Sequence, residues 1–374
     1  MFYPFDLENY LSDNEQNVAY NFSESGVHPL RLDELLDFAG MDPGALGDTV
    51  LDYPEVRGTA ELRERIAALY PGATADNVLV TVGASEANHL VAATLLEPGD
   101  RVTAISPGYL QLAGNARNRG IALDTVALVE TEGWALDVDE LHARVTPATK
   151  LLSVINPNNP TGHILTPGER DAVVTAADRA GAWIVADEVY AGTERGDAPA
   201  TPSLWGDYDR VIAVNSMSKA YGLPGLRTGW LVAPGELIPA LWRRHEYATI
   251  SASMLGNRLA GIALSEDVRP RLTERARRLI DTGFDVLTRE LGVHAGIYSV
   301  VPPQASAMCV VRYDLPIGSR QFVDRLVAEY DTLVVPGSCF GLERHFRFSS
   351  ALPEPYLVEG LTRINRLVGD ILGA

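Results

Sequence analysis

VIAVNSMSKAYGLPGLRTGWLVAP, residues 211–234, places a polar turn between two apolar runs. The runs VIAVNSM (211–217) and TGWLVAP (228–234) have the length and composition of strands that are buried on both faces. Between them lies one lysine, Lys219, followed by a glycine-rich turn. Because ligands of parallel α/β sheets bind at the carboxyl ends of the strands, this turn is a candidate site.

Five more apolar runs of the same kind precede this stretch, at residues 78–83, 101–106, 123–128, 150–155 and 183–189. The segments between them are long enough for crossover helices, so the sequence predicts an α/β fold with a mostly parallel, seven-stranded sheet. Downstream, helical spacing over 271–291 and the alternating segments SAMCVVRY and HFRFSS predict a smaller α+β domain. We expect an N-terminal arm with part of the small domain at 1–45, the large domain at 46–255 and the small domain at 256–374.

The composition of the chain indicates which kinds of molecule it binds. The chain has 374 residues, 46% of them hydrophobic, and a formal charge of −18, which disfavours binding to nucleic acid or an anionic membrane. Its two cysteines, Cys309 and Cys339, form no CxxC pattern and no Cys/His cluster, so neither a metal site nor a disulfide framework is predicted. The acidic N-terminus and the lack of a run of about 20 apolar residues predict a cytoplasmic protein whose partners are small molecules.

Polar residues follow five of the predicted strands at their carboxyl ends. These residues are Gly83, Ala84 and Ser85; Tyr109; the stretch 156–162 with Asn159; Asp187 and Tyr190; and Ser216, Ser218 and Lys219. Because the carboxyl ends of parallel strands meet at one edge of a sheet, we expect these side chains to converge there.

The chemistry of this set fits a phosphorylated aldehyde. A lysine in a half-buried polar pocket can lose its proton and form an imine with an aldehyde. The segment GASEA (83–87) offers the free N–H groups of a helix N-terminus to a phosphate, and further donors would come from Ser216, Ser218 and Arg227. Asp187 suits a protonated ring nitrogen, so the predicted cofactor is pyridoxal 5′-phosphate (PLP).

Four motifs also carry a family resemblance: SMSKAYGLPGLRTGW (216–230), NPNNPTG (156–162), ADEVY (186–190) and VGASEA (82–87). At this spacing they resemble the PLP-dependent class I/II aminotransferases of fold type I. The resemblance extends from Tyr53 to Arg347, which is most of the chain.

The resemblance implies a role for each matching residue. Lys219 would be the Schiff-base lysine and then the general base at the substrate Cα, and Asp187 would pair with the ring nitrogen. Tyr190 and Asn159 would hydrogen-bond the ring oxygen, and Tyr109 would stack on the ring. Arg347, with Asn159 beside it, would bind the α-carboxylate, while the phosphate would be held by Gly83, Ala84, Ser85, Ser216, Ser218 and Arg227. Tyr53 would reach the phosphate of a neighbouring subunit, which implies a homodimer with shared sites.

Two other classes of protein are disfavoured. A nicotinamide dehydrogenase would need GxGxxG where this chain has GASEAN (83–88), together with an acidic residue at the ribose-binding spacing. A fused DNA-binding regulator would need more than the roughly 50 residues that precede Tyr53, and the chain is acidic. Within PLP chemistry the alternatives stay open: transfer of the amino group to a 2-oxo acid, or elimination, decarboxylation or cyclisation.

Two segments depart from the common aminotransferase pattern, NFSESGVHPL (21–30) and PPQASAM (302–308). Both usually face the substrate side chain, so the amino acid may be unusual. Glu24 and His28 are candidates for side-chain recognition or acid–base work, and Gly26 for a backbone N–H near the carboxylate. The segment SGVH (25–28) is similar to that of the capreomycidine synthases, PLP enzymes that cyclise a hydroxylated arginine.

Overall fold

The computed structural model describes residues 2–373. The α-helices in this range are α1 (Asp6–Asn14), α2 (Leu32–Phe38), α3 (Ala60–Ala67), α4 (Gly83–Leu95), α5 (Gln111–Asn118), α6 (Val138–Arg144), α7 (Pro167–Ala180), α8 (Ile238–Ala248), α9 (Met254–Ala263), α10 (Arg269–Leu291), α11 (Ser319–Tyr330) and α12 (Glu354–Leu372). The strands are β1 (Tyr20–Asn21), β2 (Val78–Thr81), β3 (Arg101–Ser106), β4 (Ala122–Val129), β5 (Ala135–Leu136), β6 (Thr149–Ile155), β7 (Trp183–Asp187), β8 (Val211–Ser216), β9 (Gly229–Val232), β10 (Tyr298–Val300), β11 (Met308–Tyr313), β12 (Thr332–Leu333), β13 (Val335–Pro336) and β14 (His345–Ser349).

The larger sheet has the strand order β2-β9-β8-β7-β6-β3-β4-β5. The pairs β8–β7, β7–β6, β6–β3 and β3–β4 are parallel, whereas β9 is antiparallel to both β2 and β8. The prediction of a mostly parallel α/β sheet is therefore confirmed, and all seven predicted strands are present. The eighth strand, β5, has two residues and is too short to show a periodic pattern.

Burial on both faces explains why the central strands are mostly apolar. All six residues of β8 are buried. Ile212 and Val214 belong to the same core cluster as Leu90 of α4, and Ala213 belongs to the cluster that contains Leu272 of α10. Because neither face meets water, the first four residues of β8 are all apolar, and polar residues occur only at its carboxyl end, Asn215 and Ser216.

The second sheet is antiparallel, with the order β10-β11-β14-β13. It shares a core with α10, α11 and α12, and residues of the N-terminal arm such as Leu7 and Phe22 pack into that same core. The predicted helix over 271–291 is confirmed as α10, which passes from the core of the large sheet at Leu272 to that of the small sheet at Phe284. The domain limits 1–45, 46–255 and 256–374 stay a prediction.

Within residues 2–373, no helix combines the length and the apolar character that crossing a membrane requires.

Candidate active site

A cavity of about 290 Å³ lies at the carboxyl ends of β6, β7 and β8, between the large sheet and β14 of the small sheet. Twelve of the residues singled out in the sequence line it: Glu24, Ala84, Ser85, Tyr109, Asn159, Asp187, Tyr190, Ser216, Ser218, Lys219, Arg227 and Arg347. The structure thus brings together side chains that are as far apart in the chain as Glu24 and Arg347.

Lys219 follows β8 and is half-buried. Its Nζ donates a hydrogen bond to Ser25 Oγ at 2.7 Å. Burial lowers the pKa of the Lys219 amine and the charge of Arg347 adds to this, while the carboxylates of Glu24, Glu8 and Asp187 oppose the change. The amine is therefore easier to deprotonate than an ordinary lysine, as a nucleophile or general base requires.

Asp187 ends β7, the neighbour of β8 in the sheet. Burial raises the pKa of its carboxyl to about 6, although hydrogen bonds from the Val189 N–H and from Asn88 oppose that rise. A half-buried carboxylate without a strong cationic partner is costly, so this position favours a ligand that brings a positive charge.

Tyr190, Asn159 and Arg347 form one hydrogen-bonded group. The Nδ2 of Asn159 donates to the Tyr190 hydroxyl at 3.1 Å, and Arg347 Nη1 donates to Asn159 Oδ1 at 3.1 Å. Arg347 lies on β14 and is 2% exposed, and within the described residues its Nε has no hydrogen-bond partner. Burial lowers the pKa of this guanidinium, so an anionic ligand at Nε would relieve an unfavourable state.

The opposite end of the cavity is suited to a phosphate. Helix α4 begins at Gly83, which has a φ of 74°, and Ala84 and Ser85 form its first turn beside Arg227. The positive φ of Gly83 favours glycine, and a Cβ added there would lie 2.7 Å from Arg227 Nη2, so Arg227 approaches the start of the helix closely. Among residues 2–373, Arg227 forms no ion pair with a carboxylate; its Nη1 donates to the Pro224 carbonyl at 3.1 Å. Helix N–H groups and this guanidinium form an anion cradle.

These observations fit PLP. The cradle at Gly83 and Arg227 suits its phosphate, and the buried carboxyl of Asp187 suits its ring nitrogen. Lys219, which lines the same cavity, suits its aldehyde carbon. The unpartnered Nε of Arg347 is left for the carboxylate of an amino acid.

The N-terminal helix α1 covers the mouth of the cavity, which sequence reasoning did not predict. The Tyr109 hydroxyl donates to Glu8 Oε1 at 2.9 Å, and Phe5 packs edge-on against the Tyr109 ring, with centroids 5.0 Å apart. On its other side α1 is joined to α11, because Tyr10 donates to Asp324 at 2.8 Å. Burial, together with the Glu8 carboxylate, raises the pKa of Tyr109.

Ser25, Glu8 and Asn88 are lining residues that the sequence analysis missed. Asn88 could have been found, because it lies four residues after Ala84 and so shares one face of α4 with it. Ser25 and Glu8 have no local signal. Each of them contacts a residue more than 100 positions away in the chain.

Four predicted residues lie outside the lining set. Gly83 is the first residue of α4 and so belongs to the backbone of the anion cradle. Gly26 lies close to the lysine turn, because a Cβ added to it would lie 3.5 Å from the Lys219 Cα. His28 instead faces Arg275, whose Nη1 donates to the His28 carbonyl at 2.8 Å. Tyr53 is 77% exposed. For the described chain alone, the geometry therefore gives His28 and Tyr53 no contact with the cavity.

Comparison with known proteins agrees with this geometry. The family model "Aminotransferase class I and II" matches residues 39–364. Capreomycidine synthase from Streptomyces vinaceus is 32% identical over 97% of this chain and 93% of that protein, and an aspartate aminotransferase from Streptomyces avermitilis is 30% identical over 85% and 82%. The crystal structure of a PLP-dependent aminotransferase from Streptococcus suis superposes with a TM-score of 0.92 at 29% identity, covering 99% of this chain and 98% of that one.

The chain belongs to the class I and II aminotransferase family, and it is a PLP-dependent enzyme.

Proposed function

We propose that the enzyme acts at the Cα of an amino acid and transfers the α-amino group to a 2-oxo acid. The observation that carries this proposal is the common cavity of Lys219, Asp187 and Arg347. This cavity contains the Lys219 amine, whose pKa is lowered, and the Asp187 carboxyl, which suits a pyridinium. It also contains the Arg347 guanidinium, whose Nε has no hydrogen-bond partner among the described residues.

Each residue has one task in this reaction. Arg347 binds the substrate α-carboxylate through Nε and its adjacent nitrogens, which fixes the position of Cα. The Lys219 amine would carry a proton from the substrate Cα to the cofactor carbon, and its lowered pKa makes the neutral, basic form more available. Asp187 would pair its negative charge with the ring nitrogen, and Tyr190 and Asn159 would hydrogen-bond the ring oxygen. The bound cofactor supplies the electron sink.

A second reaction type is favoured by the arm. The same residues serve elimination, decarboxylation or cyclisation, because the outcome depends on which substrate bond stands perpendicular to the ring. The segment 25–28 resembles that of the capreomycidine synthases, and one such enzyme is a relative at 32% identity. Absorbance spectra recorded with a panel of amino acids separate the two readings. Conversion to the pyridoxamine form marks transamination, and a product formed with the cofactor unchanged marks the alternative.

The substrate side chain is proposed to be cationic. Three carboxylates, those of Glu8, Glu15 and Glu24, line the cavity at its mouth. We expect Glu24→Gln to raise KM for arginine-like amino acids and to leave KM for small neutral amino acids unchanged. Equal effects on both classes of substrate would remove Glu24 from side-chain recognition.

We propose that the enzyme is a homodimer with shared sites. An exposed apolar surface supports this proposal: Val50 and Leu51 are exposed next to Tyr53, and Tyr247 is 96% exposed. Large apolar side chains that are exposed in one chain are typical of an interface. In the dimer, Tyr53 of one chain reaches the phosphate bound by its partner. A cytoplasmic location stays a prediction.

The test of the proposed function uses the lysine content of the chain, which has only Lys150 and Lys219. Borohydride reduction of the yellow holoenzyme, followed by peptide mapping, is expected to find the cofactor on Lys219. Lys150, exposed at the second position of β6, is the internal control. Label on Lys150, or no label at all, would contradict the proposal. Lys219→Ala is expected to bind the cofactor without the covalent link and to lack activity.

A further inference from the structure

Ser25 is the hydrogen-bond partner of the residue that we place at the centre of the reaction. Lys219 Nζ donates to Ser25 Oγ at 2.7 Å, and within residues 2–373 this is the only hydrogen bond that the amine makes. Ser25 is 7% exposed and lines the cavity. Its hydroxyl is therefore a buried polar group aimed at the reacting amine.

The backbone on either side of Ser25 is fixed by direct contacts. Arg347 Nη2 donates to the Ser23 carbonyl, and the Val27 N–H donates to the Lys219 carbonyl at 3.3 Å. A Cβ at Gly26 would lie 2.8 Å from the Ser218 carbonyl oxygen, so the arm approaches the lysine turn as closely as glycine permits. The backbone around Ser25 is thus held by Arg347 of the small sheet on one side and by the turn of Lys219, which follows the large sheet, on the other. These contacts fix the position of the Ser25 hydroxyl.

The arm also contacts the residue that is suited to the substrate carboxylate. Arg347 donates to the Ser23 carbonyl, two residues before Ser25, and also to Asn159 at 3.1 Å, which in turn donates to the Tyr190 hydroxyl at 3.1 Å. Hydrogen bonds therefore connect the backbone beside Ser25 to Arg347, so a shift of this part of the arm strains the hydrogen bonds of its neighbours.

We propose that Ser25 is a positioning residue that holds the Lys219 amine in place beside the α-carbon of the bound amino acid. The inference rests on the proposed function. A lysine side chain has four rotatable bonds, and carboxylates at the mouth of the cavity, Glu8 and Glu24, attract its amine. The hydrogen bond of 2.7 Å to the Ser25 hydroxyl holds the Lys219 amine away from these carboxylates.

The first arm of the test compares three variants of the full-chain holoenzyme. Ser25→Ala removes the acceptor, and Ser25→Cys keeps the volume but offers only a weak acceptor. Both are expected to lower kcat by about 100-fold with KM within about threefold, because the base is misplaced while substrate contacts remain. Ser25→Thr keeps the hydroxyl and is expected to recover most of kcat.

The second arm measures the amine itself. The full chain without cofactor is labelled with acetic anhydride over a range of pH, and acetylation of Lys219 and of Lys150 is quantified by mass spectrometry in the same sample. An oxygen that accepts a hydrogen bond from the amine favours its protonated form, so Ser25→Ala is expected to lower the pKa of Lys219 further. Lys150 should titrate as it does in the wild type.

Other charged groups face the Lys219 amine and must be unchanged in this comparison. They are Glu24 on the arm, Glu8 on α1, Asp187 at the end of β7 and Arg347 on β14. None of these groups is altered in the three variants. A change in the titration of Lys219 that is not seen for Lys150 is therefore due to the loss of the Ser25 hydroxyl.

The outcomes separate this inference from the proposed function. Wild-type kcat and an unchanged Lys219 titration in Ser25→Ala, with the borohydride label still on Lys219, would overturn the positioning role and leave the function standing. A rise in KM alone would also overturn it, by making Ser25 a substrate contact. If Ser25→Ala does not fold, equal kcat in Ser25→Cys and Ser25→Thr overturns it. A wild type without label on Lys219 would reject the function itself.

Discussion

Arg347 is the cation on which substrate binding depends. It is buried on β14, its Nη1 is already committed to Asn159, and its Nε has no partner among the described residues. We expect Arg347→Lys to weaken amino-acid binding by about 1.5–3 kcal/mol, because an ammonium cannot reproduce the planar set of donors. The measurement is spectral titration of the holoenzyme with substrate.

Arg344 provides the matched control for this change. It lies just before β14 on the same approach to the small sheet, and its side chain is exposed beside Asp314. Arg344→Lys is expected to leave substrate affinity within the error of the titration. Equal affinities for Arg347→Lys and wild type would remove Arg347 from the carboxylate site.

The raised pKa of Asp187 predicts that cofactor binding depends on pH. Its pKa is raised to about 6, so the free site holds a neutral carboxyl below that pH and a carboxylate above it. A cationic ring nitrogen binds the carboxylate, so protonation of Asp187 should lower the affinity by about tenfold per pH unit below pH 6. Titration of the cofactor-free chain with PLP at several pH values measures this. In Asp187→Asn the step at pH 6 should disappear; if it persists, another group is responsible.

Helix α12 contains a pair of glycines that differ in their surroundings. A Cβ at Gly360 would lie 2.0 Å from Phe22 Cζ, and the Phe22 ring is stacked on Phe348 with centroids 4.6 Å apart. Gly360→Ala is expected to lower the free energy of unfolding by about 1–3 kcal/mol, because the ring has no space to move into. Gly369, in the same helix, has nothing within 4 Å of its added Cβ. Gly369→Ala should stabilise the protein by about 0.5–1 kcal/mol.

The unfolding temperatures of the two variants, measured with cofactor in excess, check this expectation. Because Phe22 lies three residues before Ser25 in the N-terminal arm, Gly360→Ala should also reduce kcat. Similar unfolding temperatures for the two variants would show that the ring is not confined.

The strands and their polar ends were predictable because their signals are local. The strand β8 begins with four consecutive apolar residues, and Lys219 lies three residues after its end. The contacts of the arm were not predictable for the same reason. Ser25 meets Lys219 across 194 positions, and Glu8 meets Tyr109 across 101, so neither leaves a pattern in a sequence window. Glu24 was found through its departure from a family pattern, and Ser25 beside it was not.

Hybrid dimers test the assembly of the site. If Tyr53 serves the partner's cofactor, a Tyr53→Ala chain paired with a Lys219→Ala chain contains one complete site, in which both residues are native. Mixing the two variants after partial denaturation and renaturation should therefore restore activity that neither has alone. Sedimentation equilibrium should give twice the mass of the chain.

The control is a mixture of Lys219→Ala with Arg347→Leu. Both residues line the same cavity of one chain, together with Asp187, so a hybrid places one defect in each site. No recovery is expected from this mixture. Recovery there, or its absence with Tyr53→Ala, would contradict shared sites of the proposed kind.

The arm that separates the two sheets has an evolutionary consequence. Lys219 and Asp187 are anchored in one sheet and Arg347 in the other, while residues 22–28 run between them without belonging to either. Mutations in those seven residues can reshape the surroundings of the substrate without disturbing the strands that hold the cofactor. A short segment outside both sheets is therefore a place where members of this family can change their chemistry. Replacing residues 22–28 with the corresponding segment of an aspartate aminotransferase is the smallest change that would test whether this segment sets the chemistry.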